Sequence, residues 1–349
     1  MNPRHFLGTL DWSSEELQDL VRLALKFKSE GRGRIQSAPD LAGQMLGLLF
    51  FNPSVRTRVS CEAAMAKLGG SSTALAAGSD TWRFEERDGV VMDQNTQEHV
   101  RELAPVLSGL CDAVGMRKAE MMSGGDAQGA SWEKLSQDTF LHAFARHSRV
   151  PVINLESNAF HPCQGLADMV TMNELLGGKP QAEHYVLTWA WHPKALPVAT
   201  PHSQLLAAAD SGMKITVLRP EGYNLCPKVV AAARDRAESA GGSYAETSNP
   251  AAALPGARIV CAKSWGQLGA YGSSVEEARP SDSLRQEWIV NDDKMAMTNG
   301  AHFMHCLPIR RNVIATDSVL DSPKCVVAQQ ASNRLWSMTA ILARLLGDK

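Results

Sequence analysis

The run Met45-Leu46-Gly47-Leu48-Leu49-Phe50 is apolar throughout, and Asn52-Pro53-Ser54 breaks it at once. Val55, Val59, Ala63, Ala64 and Leu68 then follow at helical spacing, and Gly69-Gly70 closes the stretch. A strand that is apolar on both faces must be covered on both, which is the setting of a parallel sheet. The alternation recurs. It predicts a helical stretch from Glu98 to Leu110, a strand Cys111 to Met116, a helix Ser131 to His147 and a strand Val150 to Leu155. A helix begins near Pro162, followed by a strand Tyr185 to Trp189, helix 201–212, strand Ile215 to Leu218, helix 227–240 and strand Arg258 to Ala262. Trp12-Ser13-Ser14-Glu15-Glu16 predicts an opening helix with Leu17, Leu20, Leu23 and Leu25. Ser273 to Gln286 is polar and turn-rich and reads as a mobile loop.

Such alternation predicts an α/β chain, and 349 residues exceed the usual size of a single core. The expectation is two doubly wound parallel-sheet domains. In such sheets ligands sit beyond the carboxyl ends of strands. A net charge of −2 argues against nucleic acid and anionic membrane as partners. No apolar run approaches a membrane span, and the first residues lack the apolar core of a signal peptide. The 7 cysteines are odd in number and without a CxxC pair, which suits reduced thiols in a cytoplasm.

Three short stretches carry chemistry. Ser54-Val55-Arg56-Thr57-Arg58 puts hydroxyls and guanidinium groups at a helix start, where free N–H groups and the dipole favour an anion. A solvated helix face is the competing reading for the arginines. His161-Pro162-Cys163-Gln164 supplies an imidazole and an amide, with Pro162 suited to a first helical turn. His161 as a helix-start neighbour satisfied by backbone is the alternative there. His305-Cys306-Leu307-Pro308 ends a strand with exposed carbonyls. Cys306 lacks a paired base in sequence, and His305 beside it is too little for a zinc signature. A small ligand with phosphate, carbonyl and NH2 groups satisfies all three stretches, and carbamoyl phosphate is such a ligand.

The ordered set resembles the aspartate/ornithine carbamoyltransferase family over nearly the whole chain. Phe51-Asn52-Pro53, Trp82, Ala262-Lys263-Ser264-Trp265 and His305 to Asn312 fit the branch acting on N-acylated ornithine. The Asp…Ser-Met-Gly loop of transferases for free ornithine is missing. The resemblance implies a carbamoyl-phosphate domain, 1–158, completed by helix 330–349, and an N-acylornithine domain, 159–329, with the active site in the cleft between them. It implies that Ser54, Val55, Arg56 and Thr57 meet the phosphate, with Arg58 supporting the turn. Thr57, Arg117 and His161 would hold the carbonyl oxygen, an effect of about 3–4 kcal/mol per well-placed donor. Gln164 and the carbonyls of Cys306 and Leu307 would hold the NH2 end, and Pro162, Cys163 and Arg334 complete the set. Trp82 would reach a neighbouring subunit's site, which implies a homotrimer. Glu156, Lys263, Gln97 and Arg310 would meet N-acylornithine.

Structural ion pairs compete with these roles for Arg117, Lys263 and Glu156. No cofactor and no metal are expected. The attacking amine must be neutral, which costs about 4 kcal/mol near pH 7, and the departing phosphate is the expected proton acceptor.

At Gln97 the acetyl-specific members of the family carry glutamate and the succinyl-specific members proline. A carboxylate at about 4 Å would oppose a succinyl group by roughly 4 kcal/mol at an effective dielectric of 20, and Gln97 removes that repulsion. Ile314 stands where acetyl-type members carry lysine. The spacer Ser157-Asn158-Ala159-Phe160 and the stretch His192 to Pro197 also lean towards N-succinylornithine. The resemblance thus predicts transfer to N-succinyl- or N-acetyl-ornithine in arginine synthesis. The alternatives are a transferase for free ornithine or another amine, and a non-catalytic paralogue.

Overall fold

The computed structural model describes residues 3–31, 33–120, 122 and 129–347. Residues 1–2 of the N-terminal stretch and 348–349 of the expected final helix lie outside the described residues. The chain divides into two compact units, Met1–Ala119 with Leu135–Cys163 and Arg334–Lys349, and Glu120–Lys134 with Gln164–Asn333. The division thus falls a few residues beyond the expected 158/159 boundary, and 120–134 belong to the second unit.

In the first unit α1 is Ser14–Ser29, β1 Met45–Phe50, α2 Val55–Lys67 and β2 Ser71–Ala76. The short β3 (Phe84–Glu85) and β4 (Glu98–His99) precede α3 (Val100–Leu110) and β5 (Ala113–Arg117). After α4 (Trp132–Leu135), of which only Leu135 is in this unit, come α5 (Thr139–His147) and β6 (Val152–Glu156). A capping box starts α1: Ser13 Oγ accepts from Glu16 N at 3.2 Å and Glu16 Oε2 accepts from Ser13 N at 3.0 Å. The four-stranded sheet runs β2-β1-β5-β6, with every pairing parallel. Its central strands carry the apolar runs. Leu49, Val114 and Met116 pack with Leu103, Phe140 and Phe144, and each fully buried phenylalanine contributes about 2–3 kcal/mol.

The single helix expected over Ser131 to His147 is two, because Asp138 takes a left-handed φ of 44° between them. Its carboxylate accepts from Ser157 Oγ at 2.6 Å, Asn158 N at 2.8 Å and Ala159 N at 3.2 Å. The break therefore holds the turn that follows β6. Periodicity cannot report it, since the bonding partners lie beyond the helix.

The second unit contains most of α6 (Pro162–Leu175), then β7 (His184–Trp189), α7 (Ala199–Asp210) and β8 (Lys214–Leu218). There follow α8 (Pro227–Ser239), β9 (Ser243–Thr247), α9 (Pro250–Ala253), β10 (Ile259–Lys263), α10 (Asp292–Ala296), β11 (His302–Met304) and α11 (Asp317–Leu320). The long α12 (Val327–Leu346) starts in this unit, and its part from Arg334 belongs to the first. The five-stranded sheet runs β11-β10-β7-β8-β9, again parallel. Ser273 to Gln286 forms turns and a short 3-10 segment, Asp282–Leu284, and Trp191 Nε1 donates to Ser281 O at 2.9 Å.

Candidate functional site

In the first unit the site grows from strand ends. Arg117 closes β5 and Glu156 closes β6, and the parallel register sets the two side by side as an ion pair. Glu156 Oε2 is 3.6 Å from His161 Nε2, which in turn lies 3.2 Å from Arg334 Nη1. Arg334 Nη2 donates to Thr57 Oγ1 at 3.0 Å. Ser54 caps α2, accepting from Thr57 N at 3.4 Å and donating to Thr57 Oγ1 at 3.0 Å. Thr57, Arg334 and His161 are thus hydrogen-bonded in series beside a helix start, with the Arg117–Glu156 ion pair next to the imidazole. The dipole at a helix start favours an anion.

An arginine only donates, so His161 Nε2 accepts from Arg334 and the ring proton sits on Nδ1, as assigned from the network. Val55 is 77% exposed, its side chain turned to solvent. Arg58 does not support the turn: its Nε donates to Glu62 at 2.9 Å on an exposed helix face, the ordinary fate of charges four residues apart. Pro162 opens α6. The Cys163 thiol is buried, donates to Asn154 O at 3.3 Å and is pushed up to about 12 by burial, which rules it out as a thiolate near neutrality.

Trp82 is 66% exposed in a loop held by Asp80, whose carboxylate accepts from Ala76 N at 2.8 Å. Gln97 grips the next residue: its N–H donates to Arg83 O at 2.9 Å and its Oε1 accepts from Arg83 N at 3.2 Å. The NH2 end of that amide is therefore the end turned away from Arg83.

The second unit brings a different set together. Gln164 Nε2 donates to Asp168 Oδ1 at 2.8 Å, and His305 N donates to Gln330 Oε1 at 2.9 Å just before Cys306 and the cis Leu307-Pro308 bond. Lys263 closes β10. Arg310 Nε donates to His192 Nε2 at 3.0 Å, so the other ring nitrogen carries the proton and donates to Lys194 O at 2.9 Å. Burial lowers the pKa of His192, and the charges of Arg310, Lys263 and Lys194 lower it further. A neutral imidazole among three cations is a setting for a carboxylate. His192, bonded to Arg310, is a candidate site residue that the motifs did not single out. Its signal in sequence was only the stretch His192-Pro193-Lys194. Ile314 lies 2% exposed in an apolar cluster with Ala190, Ala262, Val290 and Phe303.

Among the described residues no group of three or more His, Cys, Asp or Glu is placed to hold a metal ion, and no helix is long and apolar enough to cross a membrane. All the cysteines are free thiols.

Two family models match the chain: aspartate/ornithine carbamoyltransferase, carbamoyl-P binding domain, over residues 4–174, and its Asp/Orn binding domain over residues 198–345. The chain is 41% identical to N-acetylornithine carbamoyltransferase of Xanthomonas campestris pv. campestris, over 100% of this chain and 99% of that one. It is 36% identical to N-succinylornithine carbamoyltransferase of Bacteroides thetaiotaomicron, over 97% of this chain and 96% of that one. A crystal structure of acetylornithine transcarbamylase complexed with acetylcitrulline superposes with a TM-score of 0.91 at 41% identity, covering 99% of both chains.

Proposed function

The chain belongs to the aspartate/ornithine carbamoyltransferase family, and from that premise we propose that it moves the carbamoyl group of carbamoyl phosphate to the δ-amine of an N-acylated L-ornithine. The products are N-acyl-L-citrulline and phosphate. The observation that carries this reading is the meeting, beside the start of α2, of the Thr57–Arg334–His161 hydrogen bonds and the Arg117–Glu156 ion pair.

Ser54, Arg56, Thr57 and the N–H groups around Val55 take the phosphate. Arg334, which holds Thr57 and His161, carries a charge that a phosphate competes for. Once Arg334 turns to that phosphate, His161 Nε2 no longer has to accept, and with the ring proton moved from Nδ1 to Nε2 the imidazole donates to the carbonyl oxygen together with Thr57 and Arg117. The neutral δ-amine attacks the carbonyl carbon and the C–N bond forms. The oxygen becomes an oxyanion held by those donors, and the C–O bond to phosphate breaks. Phosphate leaves with the electron pair and takes the amine proton. Removing one donor of this kind costs about 10²–10³ in turnover.

In the second unit Lys263, Arg310 and His192 suit the α-carboxylate of N-acylornithine. Gln164 with the Cys306 and Leu307 carbonyls suits the carbamoyl NH2. Glu156, beside Arg117, reaches the substrate amide once carbamoyl phosphate engages that arginine. Gln97 decides the acyl group. Its fixed amide turns a donor outward, which favours the succinyl carboxylate over the smaller acetyl group. The exposed Trp82 indole completes a neighbouring subunit's site in a homotrimer, because an exposed ring in a fixed loop gains by a partner surface. The free thiols suit a cytoplasmic place in arginine synthesis.

The test is product formation from carbamoyl phosphate with N-succinyl-, N-acetyl- and free L-ornithine. Turnover of an N-acylated substrate and none of free ornithine is expected. Turnover of free ornithine alone would overturn the branch assignment, and no turnover of any would leave a binding paralogue.

A further inference from the structure

Asp168 sits on α6 one turn beyond Gln164 and is 1% exposed. Its Oδ1 accepts two amide donors, Nε2 of Gln164 at 2.8 Å and Nε2 of Gln330 at 2.7 Å. The Oε1 of Gln330 then accepts from the backbone N of His305 at 2.9 Å. A carboxylate oxygen accepts and takes only the NH2 end of an amide, so this one group fixes the flip of both glutamines. In Gln164 it turns the carbonyl end away from Asp168. In Gln330 it aims the carbonyl end at His305, the residue from which the Cys306 and Leu307 carbonyls continue.

We propose that Asp168 is a positioning residue that sets the acceptor polarity of the site for the NH2 group of carbamoyl phosphate. One arm runs through Gln164, the other through Gln330 and the backbone of His305. The inference deepens the function proposed above and rests on it. Simple fastening of α6 to α12 does not explain the arrangement. Asn333 Nδ2 donating to Thr171 Oγ1 at 2.9 Å and Gln329 Nε2 donating to Glu174 Oε2 at 3.0 Å already join those helices within this unit. What Asp168 adds is a common anchor for the acceptor groups on two separate chain segments. The chemical consequence is discrimination. Acetyl phosphate matches carbamoyl phosphate in shape but carries a methyl group where the NH2 stands: a Gln164 amide turned donor-first would repel an NH2 yet tolerate a methyl, and a His305 backbone freed from Gln330 would carry the Cys306 and Leu307 carbonyls away from the NH2.

Dissociation constants of carbamoyl phosphate and acetyl phosphate, with kcat for transfer, test this in the full-length protein and in Asp168→Asn. The asparagine side chain keeps the shape but can offer its own NH2, which frees both glutamines to flip. Carbamoyl phosphate binding should weaken about 10- to 100-fold, the effect of losing a hydrogen bond with a charged partner. Acetyl phosphate binding should move by less than about threefold. Gln330→Leu, which cuts only the second arm, should show the same selective loss and decides the matter alone if Asp168→Asn does not fold. Equal weakening of both ligands, or no change in either, overturns the proposal. So does an unaltered protein that binds the two ligands equally. Selective binding of carbamoyl phosphate without transfer to any N-acylornithine would refute the proposed function and leave Asp168's role standing.

Discussion

Arg334 donates from Nη2 to Thr57 Oγ1 at 3.0 Å, across 277 positions of sequence. The bond brings the last helix onto the first turn of α2 and leaves the other guanidinium nitrogen 3.2 Å from His161. A cation, a hydroxyl and an imidazole meet where a helix start already favours an anion. In the reaction proposed above a phosphate draws the guanidinium away, and the hydroxyl and imidazole, already gathered by it, are left beside the carbonyl oxygen.

Arg56→Ala and His161→Ala should each lower turnover by about two orders of magnitude or more with the fold intact. Steady-state rates beside circular dichroism check this. Near-normal rates in either folded variant would remove that residue from the reaction.

Trp82→Ala and Arg117→Ala should each be nearly inactive, yet regain activity when mixed under conditions of subunit exchange. Hybrid assemblies would pair an intact loop with an intact pocket. If exchange is proven by mass labels and no activity returns, the shared site is wrong.

Gln97→Glu should depress use of N-succinylornithine over N-acetylornithine by roughly one to three orders of magnitude in kcat/KM, because it sets a second carboxylate near the succinyl group. The glutamate can still accept from Arg83 N, as Gln97 does, so the loop should hold. An equal loss with both substrates would show that residue 97 does not face the acyl group.

Ile314→Lys should destabilise the protein by about 3 kcal/mol or more, since a charged side chain would enter an apolar cluster. Denaturant midpoints measure this directly. A stability equal to that of the unchanged protein would mean that the lysine turns outward.

His192 should make stability pH-dependent. Its folded-state pKa lies below the ordinary 6.5, so the unfolded chain binds more protons as pH falls past that value. Its contribution is therefore complete above about pH 6.5 and is lost as pH falls through the lowered folded value. His192→Gln can still accept from Arg310 without titrating, and should flatten the decline of the unfolding midpoint between about pH 7 and pH 5. An unchanged slope would place the titration elsewhere.

The residues themselves determined much of this protein. Met45–Phe50, Ala113–Arg117 and Ile259–Lys263 are inner strands covered on both faces, so each had to be written as an apolar run, and the reactive motifs follow strand ends in plain view. The edge strands Ser71–Ala76 and Ser243–Thr247 were not legible, because a half-exposed strand with one paired side needs no such run. Periodicity was equally silent on Asp138, on His192 meeting Arg310 and on Asp168 joining Gln164 to Gln330. Hydrophobic pattern reports the face a residue buries, and only tertiary structure decides which distant residue that face meets. The first follows from local geometry and water. The second follows from chain topology, because parallel strands need long crossovers, and these bring residues such as His192 and Arg310, more than a hundred positions apart, to the same sheet end.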